Sequence, residues 1–237
     1  MNPIVKATIE SIWDQALHSE YKIIENIHKE SNDQSRFLEI GCGSLGFLKR
    51  KGDRLDDLFS NSVGIDIDRK ALAKNEQVKY PVCASCYSLP LKTNTFDIIV
   101  CRWLFEHLEC PETAIQEINR VLKKGGCLFI TTPNLLNYAM LISRFTPTFF
   151  HNIIRTAGGG YENIKTYYRA NTKRKIMRLA YRNNFEIKNI NTTSYSFMYY
   201  NFNSILFFTM KRLGELMSSV ASQFHLKITC VMKKVHD

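Results

Sequence analysis

The stretch from Phe37 to Gly46, which reads FLEIGCGSLG, decides the fold of this chain. An apolar run ends next to an acid and leads directly into a loop with three glycines. Glycines such as Gly41 and Gly43 allow positive φ angles and let a ligand approach the backbone closely. A helix-like segment follows over residues 47–59. This order of strand, loop and helix is typical of parallel sheets, which bind ligands at the carboxyl ends of their strands.

The loop has the G-x-G-x-x-G spacing of dinucleotide-binding proteins, with one difference. Glu39 lies two residues before the first glycine. A carboxylate there would repel a pyrophosphate, whereas it would suit a cationic ligand such as an ammonium or a sulfonium group. The loop therefore favours a cationic cofactor, with a dinucleotide as the alternative.

Apolar periodicity predicts seven strands and a long N-terminal helix. The helix runs from Pro3 to His28, either unbroken or divided near His18. We expect the segment before Gly126 to be a helix that ends in two lysines and a glycine, because these suit a helix C-terminus. A basic helix is predicted over Lys173–Asn183, with Thr172 as its N-cap. The predicted strands are Arg36–Ile40, Ser62–Asp68, Val78–Ala84, Phe96–Cys101, Cys127–Thr131, Phe185–Ile190 and Leu226–Met232.

Two acids lie at the end of the second predicted strand. Asp66 lies 23 residues after Gly43, at a distance where an acid commonly accepts hydrogen bonds from ribose hydroxyls. Asp68 is better placed to cap the helix that begins at Arg69. The alternative for Asp66 is also a helix cap.

Five motifs stand together in the order found in one family. They are the E-x-G-x-G loop, the run from Ser88 to Val100, the segment FEHL from Phe105, the segment EINRVLKKGG from Glu117, and TTPN from Thr131. Over residues 36–134 the chain resembles the class I S-adenosylmethionine-dependent methyltransferases of the type 11 family.

This resemblance implies a doubly wound, Rossmann-like α/β fold. Its seven-stranded mixed sheet would have an antiparallel last strand, helices on both faces and C-terminal cap insertions. The chain would form one domain, with an N-terminal helical cover (1–33), a cofactor-binding core (34–134) and acceptor-side insertions with the last two strands (135–237). The cofactor would be S-adenosylmethionine. Its implied contacts are Glu39, Gly41, Cys42, Gly43, Gly46, Asp66, Ile67, Ser85, Cys86 and Arg102.

One position departs from the family pattern. Family members usually carry an acid where this chain has Ser85, and that acid binds the adenine amino group. A neutral hydroxyl accepts a weaker hydrogen bond than a carboxylate does, so we expect lower cofactor affinity. The backbone of Cys86 could still contact the adenine edge.

On the acceptor side, His107 is the candidate general base, because histidine changes charge near neutral pH. Its alternative role is to pack or to position the acceptor. Tyr167, Tyr168 and Arg169 are candidate contacts for an acceptor with an anionic group, with a surface ion pair as the alternative for Arg169. A base is needed only when the nucleophile carries a proton.

Charge is distributed unevenly along the chain, whose formal net charge is +10. Through Leu135 there are 17 Lys and Arg against 18 Asp and Glu, and beyond it there are 15 against 4. The excess suggests an anionic small molecule, an anionic membrane surface or nucleic acid as partner; a solvated face is the alternative. A small-molecule acceptor, anionic or lipid-like, is favoured, because the basic residues are dispersed and no RNA-binding module is visible. The lipid-like alternative rests on the aromatic segment from Tyr195 to Phe208.

Composition indicates a soluble, cytoplasmic protein. No secretory signal or transit sequence is evident, and the longest apolar stretch, Tyr195 to Met210, falls short of the ~20 residues of a spanning helix. Peripheral membrane contact stays open. The seven cysteines are expected to be reduced and mostly buried. The C-x-x-C spacing of Cys83 and Cys86 lacks a second pair or a histidine cluster, so we predict no metal site.

Three other functions compete with small-molecule methyl transfer. They are nucleic-acid methylation, a dehydrogenase that uses the same glycine spacing, and a catalytically silent cofactor-binding module. Glu39 and the downstream motifs argue against the dehydrogenase, and Ser85 leaves the silent module open.

Overall fold

The structure is a computed structural model. It describes residues 2–29, 35–46, 58, 60–137, 165–193, 203–220, 225 and 227–236. The helices are α1 (Pro3–Lys29), α2 (Arg69–Leu72), α3 (Pro111–Val121), α4 (Lys173–Arg182) and α5 (Ser204–Val220), with a 3-10 turn at Phe105–His107. The strands are β1 (Phe37–Ile40), β2 (Ser62–Asp66), β3 (Tyr80–Cys83), β4 (Phe96–Arg102), β5 (Leu122–Pro133), β6 (Phe185–Thr193) and β7 (Lys227–Lys234).

The seven strands form one mixed sheet in the order β3-β2-β1-β4-β5-β7-β6. Strands β1 to β5 pair in parallel, and β7 is inserted between β5 and β6 with antiparallel pairing to both. The predicted fold class is therefore confirmed. The strand order reverses at β1 and β4, and in open α/β sheets ligands bind at this reversal, beyond the carboxyl ends of the strands.

The core consists of two apolar layers, one on each face of the sheet. Strands β1 and β4 are buried on both faces, as expected for central parallel strands. One layer holds Ile115 of α3 and Ile176 of α4 against the sheet, and the other holds Ile24 of α1 and Leu58. Burial of each such side chain contributes about 1.5–3 kcal/mol to the stability of the fold. The two layers therefore hold the strands in place, and with them the loops at the carboxyl edge of the sheet.

The prediction for the end of α3 was wrong. The helix ends at Val121, before the two lysines, and Leu122 already pairs with Phe96 of β4. Lys123 does not face a helix C-terminus. Its Nζ lies 2.8 Å from both carboxylate oxygens of Asp97, so pairing with the neighbouring strand overrides the local signal for a longer helix.

The N-terminal helix α1 is continuous, without the break considered near His18. Near its N-terminus Val5 packs against Phe207 of α5. Near its middle, Glu20 is buried and forms ion pairs with Arg102 and Lys227. Arg102 ends β4 and Lys227 begins the antiparallel β7, so α1 is attached at the carboxyl edge of the parallel strands.

All seven cysteines are free. Cys42, Cys101 and Cys230 are buried as expected, whereas Cys83 on strand β3 is exposed. Several predicted features lie outside the described residues: nearly all of the helix over 47–59, most of the apolar segment over 135–150 and the glycine loop over 157–161. Within the described ranges, no helix has both the length and the apolar character needed to cross a bilayer.

Candidate active site

The glycine loop turns sharply between β1 and β2. Gly41 and Gly43 have φ angles of 76° and 50°, in the left-handed region that favours glycine. The backbone N–H groups of Gly41 and Cys42 both donate to the Ile65 carbonyl, at 2.7 and 3.2 Å. The loop is therefore attached to the end of β2, where the predicted ribose-binding acid stands.

Asp66 is held by the loop that it faces. Its Oδ2 accepts from the N–H of Gly43 at 2.8 Å, and its Oδ1 accepts from the N–H of Asp68 at 2.8 Å. A carboxylate offers about four acceptor positions, so capacity remains for two ribose hydroxyls. The helix-capping role belongs to Asp68, which accepts from the backbone N–H groups of Lys70 and Ala71.

Two carboxylates give the loop a negative environment. Glu39 is buried, and its Oε2 lies 3.2 Å from the point that a Cβ on Gly46 would occupy. Burial raises the pKa of the Cys42 thiol far above its usual range, and the charges of Glu39 and Asp66 raise it further. The loop therefore suits a cation and disfavours a pyrophosphate, in agreement with the sequence analysis.

Asn75 supports the loop and was missed in the sequence. Its Nδ2 donates to the carbonyls of Cys42 and Gly43, at 3.1 and 2.8 Å, and its Oδ1 accepts from the Gln77 N–H at 2.8 Å. A Cβ on Gly46 would lie 2.5 Å from the Cβ of Gln77. No sequence motif indicates the role of Asn75, because the loop carbonyls that it binds lie 32 and 33 residues away in the chain.

The predicted adenine-side residues surround the ends of β2 and β3. Ile67 is 78% exposed beside Asp66. The Ser85 hydroxyl accepts from the backbone N–H of Tyr87 at 3.2 Å, which leaves its own proton available to donate. Cys86 is partly buried; burial raises the pKa of its thiol to about 11, and the charge of Asp66 also raises it.

Arg102 lies at the carboxyl end of β4, but it is committed to an ion pair. Its Nε is 3.0 Å from Oε2 of Glu20, and its side chain is only 14% exposed. No local sequence pattern predicts this pair, since 82 residues separate the two positions. A contact between Arg102 and a cofactor stays a prediction.

On the acceptor side, the 3-10 turn binds the segment 165–171. The Glu106 carbonyl accepts from the N–H groups of Tyr167 and Tyr168, at 2.8 and 3.1 Å. Nδ1 of His107 lies 2.9 Å from the Lys165 carbonyl. A carbonyl can only accept, so Nδ1 carries the proton and Nε2 of the neutral ring is the acceptor. The structure thus brings the predicted residues His107, Tyr167 and Tyr168 together.

A buried polar chain lies behind this turn. The Thr132 hydroxyl donates to Oε2 of Glu106 at 3.0 Å and accepts from Nδ2 of Asn171 at 2.6 Å. All three side chains are buried. Burial raises the pKa of Glu106 to about 7, against smaller opposing effects of hydrogen bonds from its own N–H and from Thr132. In the sequence, Glu106 is distinguished only as part of the FEHL motif.

Cations flank one aromatic ring at the acceptor edge. Nζ of Lys165 lies 4.7 Å from the centroid of the Tyr167 ring, and the Arg169 guanidinium lies 5.6 Å from it. Arg169 also approaches Glu109 at 3.9 Å, with both side chains more than half exposed, so the pair is weak. Tyr168 and Trp103 adopt positive φ angles of 51° and 52°; such strain is often found at functional sites.

The strand order and the acidic glycine loop together define a Rossmann-like class I methyltransferase fold. Residues 38–130 match the family described as "Methyltransferase domain". This match confirms the resemblance that the motifs indicate for this part of the chain.

Two curated relatives illustrate the match. An uncharacterised protein of Methanocaldococcus jannaschii is 32% identical over 136 residues, which cover 55% of this chain and 51% of that protein. The mitochondrial ubiquinone biosynthesis O-methyltransferase of Saccharomyces cerevisiae is 31% identical over 139 residues, or 55% of this chain and 43% of that protein. The chain thus spans about half the length of the curated relatives it matches.

Solved structures support the fold. An S-adenosylmethionine-dependent methyltransferase from Methanosarcina mazei has a TM-score of 0.55 at 19% identity, covering 89% of this chain and 97% of its own. The 4+2 cyclase SpnF has a TM-score of 0.54 at 15% identity, covering 92% and 81%. Because a methyltransferase and a cyclase share the fold, the fold alone does not settle the reaction.

Proposed function

We propose that this protein transfers the methyl group of S-adenosylmethionine to a small-molecule acceptor that carries an anionic group. One observation carries the proposal: the carboxylates of Glu39 and Asp66 converge on a glycine loop in the methyltransferase domain. A cofactor with a sulfonium, an ammonium group and a ribose meets this environment better than a dinucleotide with its pyrophosphate does.

The chain's residues fit the parts of that cofactor. Asp66 has acceptor capacity for the ribose hydroxyls, and Ile67 offers an exposed apolar side chain for the adenine face. Ser85 and the backbone of Cys86 would contact the adenine edge. Gly41 and Gly43 allow close approach of the methionine part, with Glu39 as the nearby counter-charge.

When bound, the cofactor supplies an already activated methyl group, so the protein's main task is to align an acceptor and exclude water. Alignment of this kind contributes up to roughly 7–11 kcal/mol in the best cases. Glu39 and Asp66 would hold this cofactor, which would supply both the methyl group and, in its sulfur, the leaving group that keeps the electron pair of the broken carbon–sulfur bond. A proton on the acceptor atom must go to a base.

We assign that proton to Nε2 of His107. The hydrogen bond that Nδ1 donates to the Lys165 carbonyl orients the His107 ring. Lys165 and Arg169 beside the Tyr167 ring would hold the acceptor's anionic group. In this view residues 1–33 cover the site, 34–134 bind the cofactor and 135–237 select the acceptor. Seven cysteines in the reduced, free-thiol state would fit a location in the cytoplasm.

Calorimetric titration with S-adenosylmethionine and S-adenosylhomocysteine tests the proposal. Asp66→Asn should weaken binding of both by roughly ten- to a hundredfold, since hydrogen bonds to a charged group are worth about 1.5–3 kcal/mol. Glu112→Gln, which makes the same chemical change at an exposed site on α3, should bind normally. Binding of NAD without binding of S-adenosylmethionine would point to the dehydrogenase instead.

A further inference from the structure

Helix α4 presents an unpaired basic surface to solvent. It has no acidic residue among its ten. Among the residues that the structure describes, none supplies an ion-pair partner to the cations of this helix. These cations are Lys173, Arg174, Lys175, Arg178 and Arg182.

Most of the cations of α4 do not stabilise the helix that carries them; only Arg182 lies in the last turn, where the helix dipole favours a cation. Three of them occupy its first turn, where the helix dipole favours acids. Arg174, Arg178 and Arg182 follow one another at intervals of four, and like charges at this spacing repel. The helix is held instead by its buried face and by the Thr172 hydroxyl, which accepts from the Lys175 N–H at 3.2 Å. A role outside the fold explains the cations better.

Two apolar side chains stand among these cations. Met177 is 50% exposed and Tyr181 is 87% exposed. They lie four residues apart and so on one side of the helix. Burying them would favour a partner with an apolar interior below an anionic surface.

We propose that the outer face of α4, defined by Arg174, Met177, Arg178, Tyr181 and Arg182, docks on an anionic membrane surface. The cations would bind lipid head groups, while Met177 and Tyr181 would enter the interfacial layer, where tyrosine is enriched. The binding does not depend on methyl transfer.

Nucleic acid fits this surface less well. Proteins that bind single strands generally combine a basic groove with several stacking aromatics. The outer face of α4 is one convex helix with one tyrosine, and methionine contributes nothing to phosphate binding. An exposed helix face that combines cations with apolar side chains is better matched to a bilayer surface.

Sedimentation with vesicles tests the proposal. Wild-type protein should bind vesicles of phosphatidylcholine with phosphatidylglycerol and should not bind phosphatidylcholine alone. Each Lys or Arg near an anionic membrane strengthens binding about fivefold. The triple change Arg174→Gln, Arg178→Gln and Arg182→Gln should therefore weaken binding on the order of a hundredfold.

The matched control removes the same charge elsewhere. Lys70→Gln, Lys74→Gln and Lys79→Gln alter three exposed lysines near β2 and β3 and should change binding only slightly. The thermal midpoint of the α4 triple variant should equal or exceed that of wild type, because the repulsion along the helix is relieved. This measurement separates lost binding from lost folding.

Two further measurements distinguish a membrane from RNA as the partner. Met177→Ser with Tyr181→Ser should weaken vesicle binding and leave the weak binding of an RNA oligonucleotide unchanged. The proposal is overturned if the wild-type protein does not bind phosphatidylglycerol vesicles. It is overturned as well if the α4 triple variant and the triple lysine control lose binding equally. It is also overturned if only RNA binds and the α4 variant abolishes that binding.

Discussion

Glu106 is a buried acid whose described side-chain partner is a neutral hydroxyl. Its pKa of about 7 reflects burial, which disfavours the charged form. An acid with a raised pKa in the fold stabilises the fold below its unfolded pKa of about 4.5. That contribution is lost as the pH rises through about 7. Near neutral pH this residue is therefore a cost to stability, located directly behind the acceptor side of the candidate site.

Glu106→Gln should remove this pH dependence. At about pH 8 the variant's free energy of unfolding is expected to exceed that of wild type by up to ~3 kcal/mol, because glutamine stays neutral and still accepts from Thr132. At about pH 4 the two proteins should be equally stable. Urea unfolding across this pH range measures the difference.

Glu117 provides a comparison, because its pKa is shifted in the opposite direction to that of Glu106. Its pKa is lowered, chiefly by hydrogen bonds from Arg120, whose Nε lies 2.8 Å from Oε1. Glu117→Gln should therefore lose stability at neutral pH and match wild type in acid. Parallel pH profiles for the two variants would contradict the assignment of Glu106 as a buried acid with a raised pKa.

Between elements, one side chain joins the short helix α2 to the glycine loop. Asn75 follows α2 and donates to two carbonyls of the loop. The glycines make the turn possible, but they do not hold it in one conformation. Asn75 supplies that constraint, so the loop depends on a residue outside its own motif.

Asn75→Ala should loosen the loop and weaken cofactor binding several-fold. We expect a loss of about 1–3 kcal/mol in stability, because two carbonyls lose their donor. Calorimetry and thermal unfolding would measure both effects. Lys74→Ala, at the exposed neighbouring position, should leave both quantities nearly unchanged. Normal affinity in the Asn75 variant would mean that the loop holds its shape without this residue.

Contacts between elements also show most clearly which features the sequence predicts and which it does not. The glycine loop, the positions of the seven strands and the caps at Asp68 and Thr172 could be predicted, because their signals are local. The antiparallel last strand was implied by the family resemblance. The end of α3 could not, since Lys123 responds to Asp97 on another strand. Asn75 and Glu106 were missed for the same reason: their roles come from partners distant in sequence.

Across the whole molecule, Glu20 joins the N-terminal helix to both halves of the sheet. It is 2% exposed and faces the cations of Arg102 and Lys227. Breaking a buried ion pair by removing one partner generally costs about 3–5 kcal/mol, because charge is left buried without its counter-charge. This cluster is therefore a major attachment of α1.

Glu20→Ala should lower the free energy of unfolding by about 3–5 kcal/mol. Glu10→Ala serves as the control, because Glu10 is exposed and lies 3.9 Å from Lys6; it should cost at most about 0.5 kcal/mol. Chemical denaturation compares the two. Similar small losses in both variants would show that the buried cluster does not hold α1.

The pair of Glu20 and Lys227 also constrains the order of events during synthesis. The two residues are separated by 207 positions, and chains grow at roughly 5–20 residues per second, so they emerge about 10–40 s apart. Throughout that interval the Glu20 carboxylate lacks one of its two cations. Helix α1 leaves the ribosome before the strands of the sheet, yet it is among the last elements to be fully secured, because it stays incompletely anchored until β7 arrives.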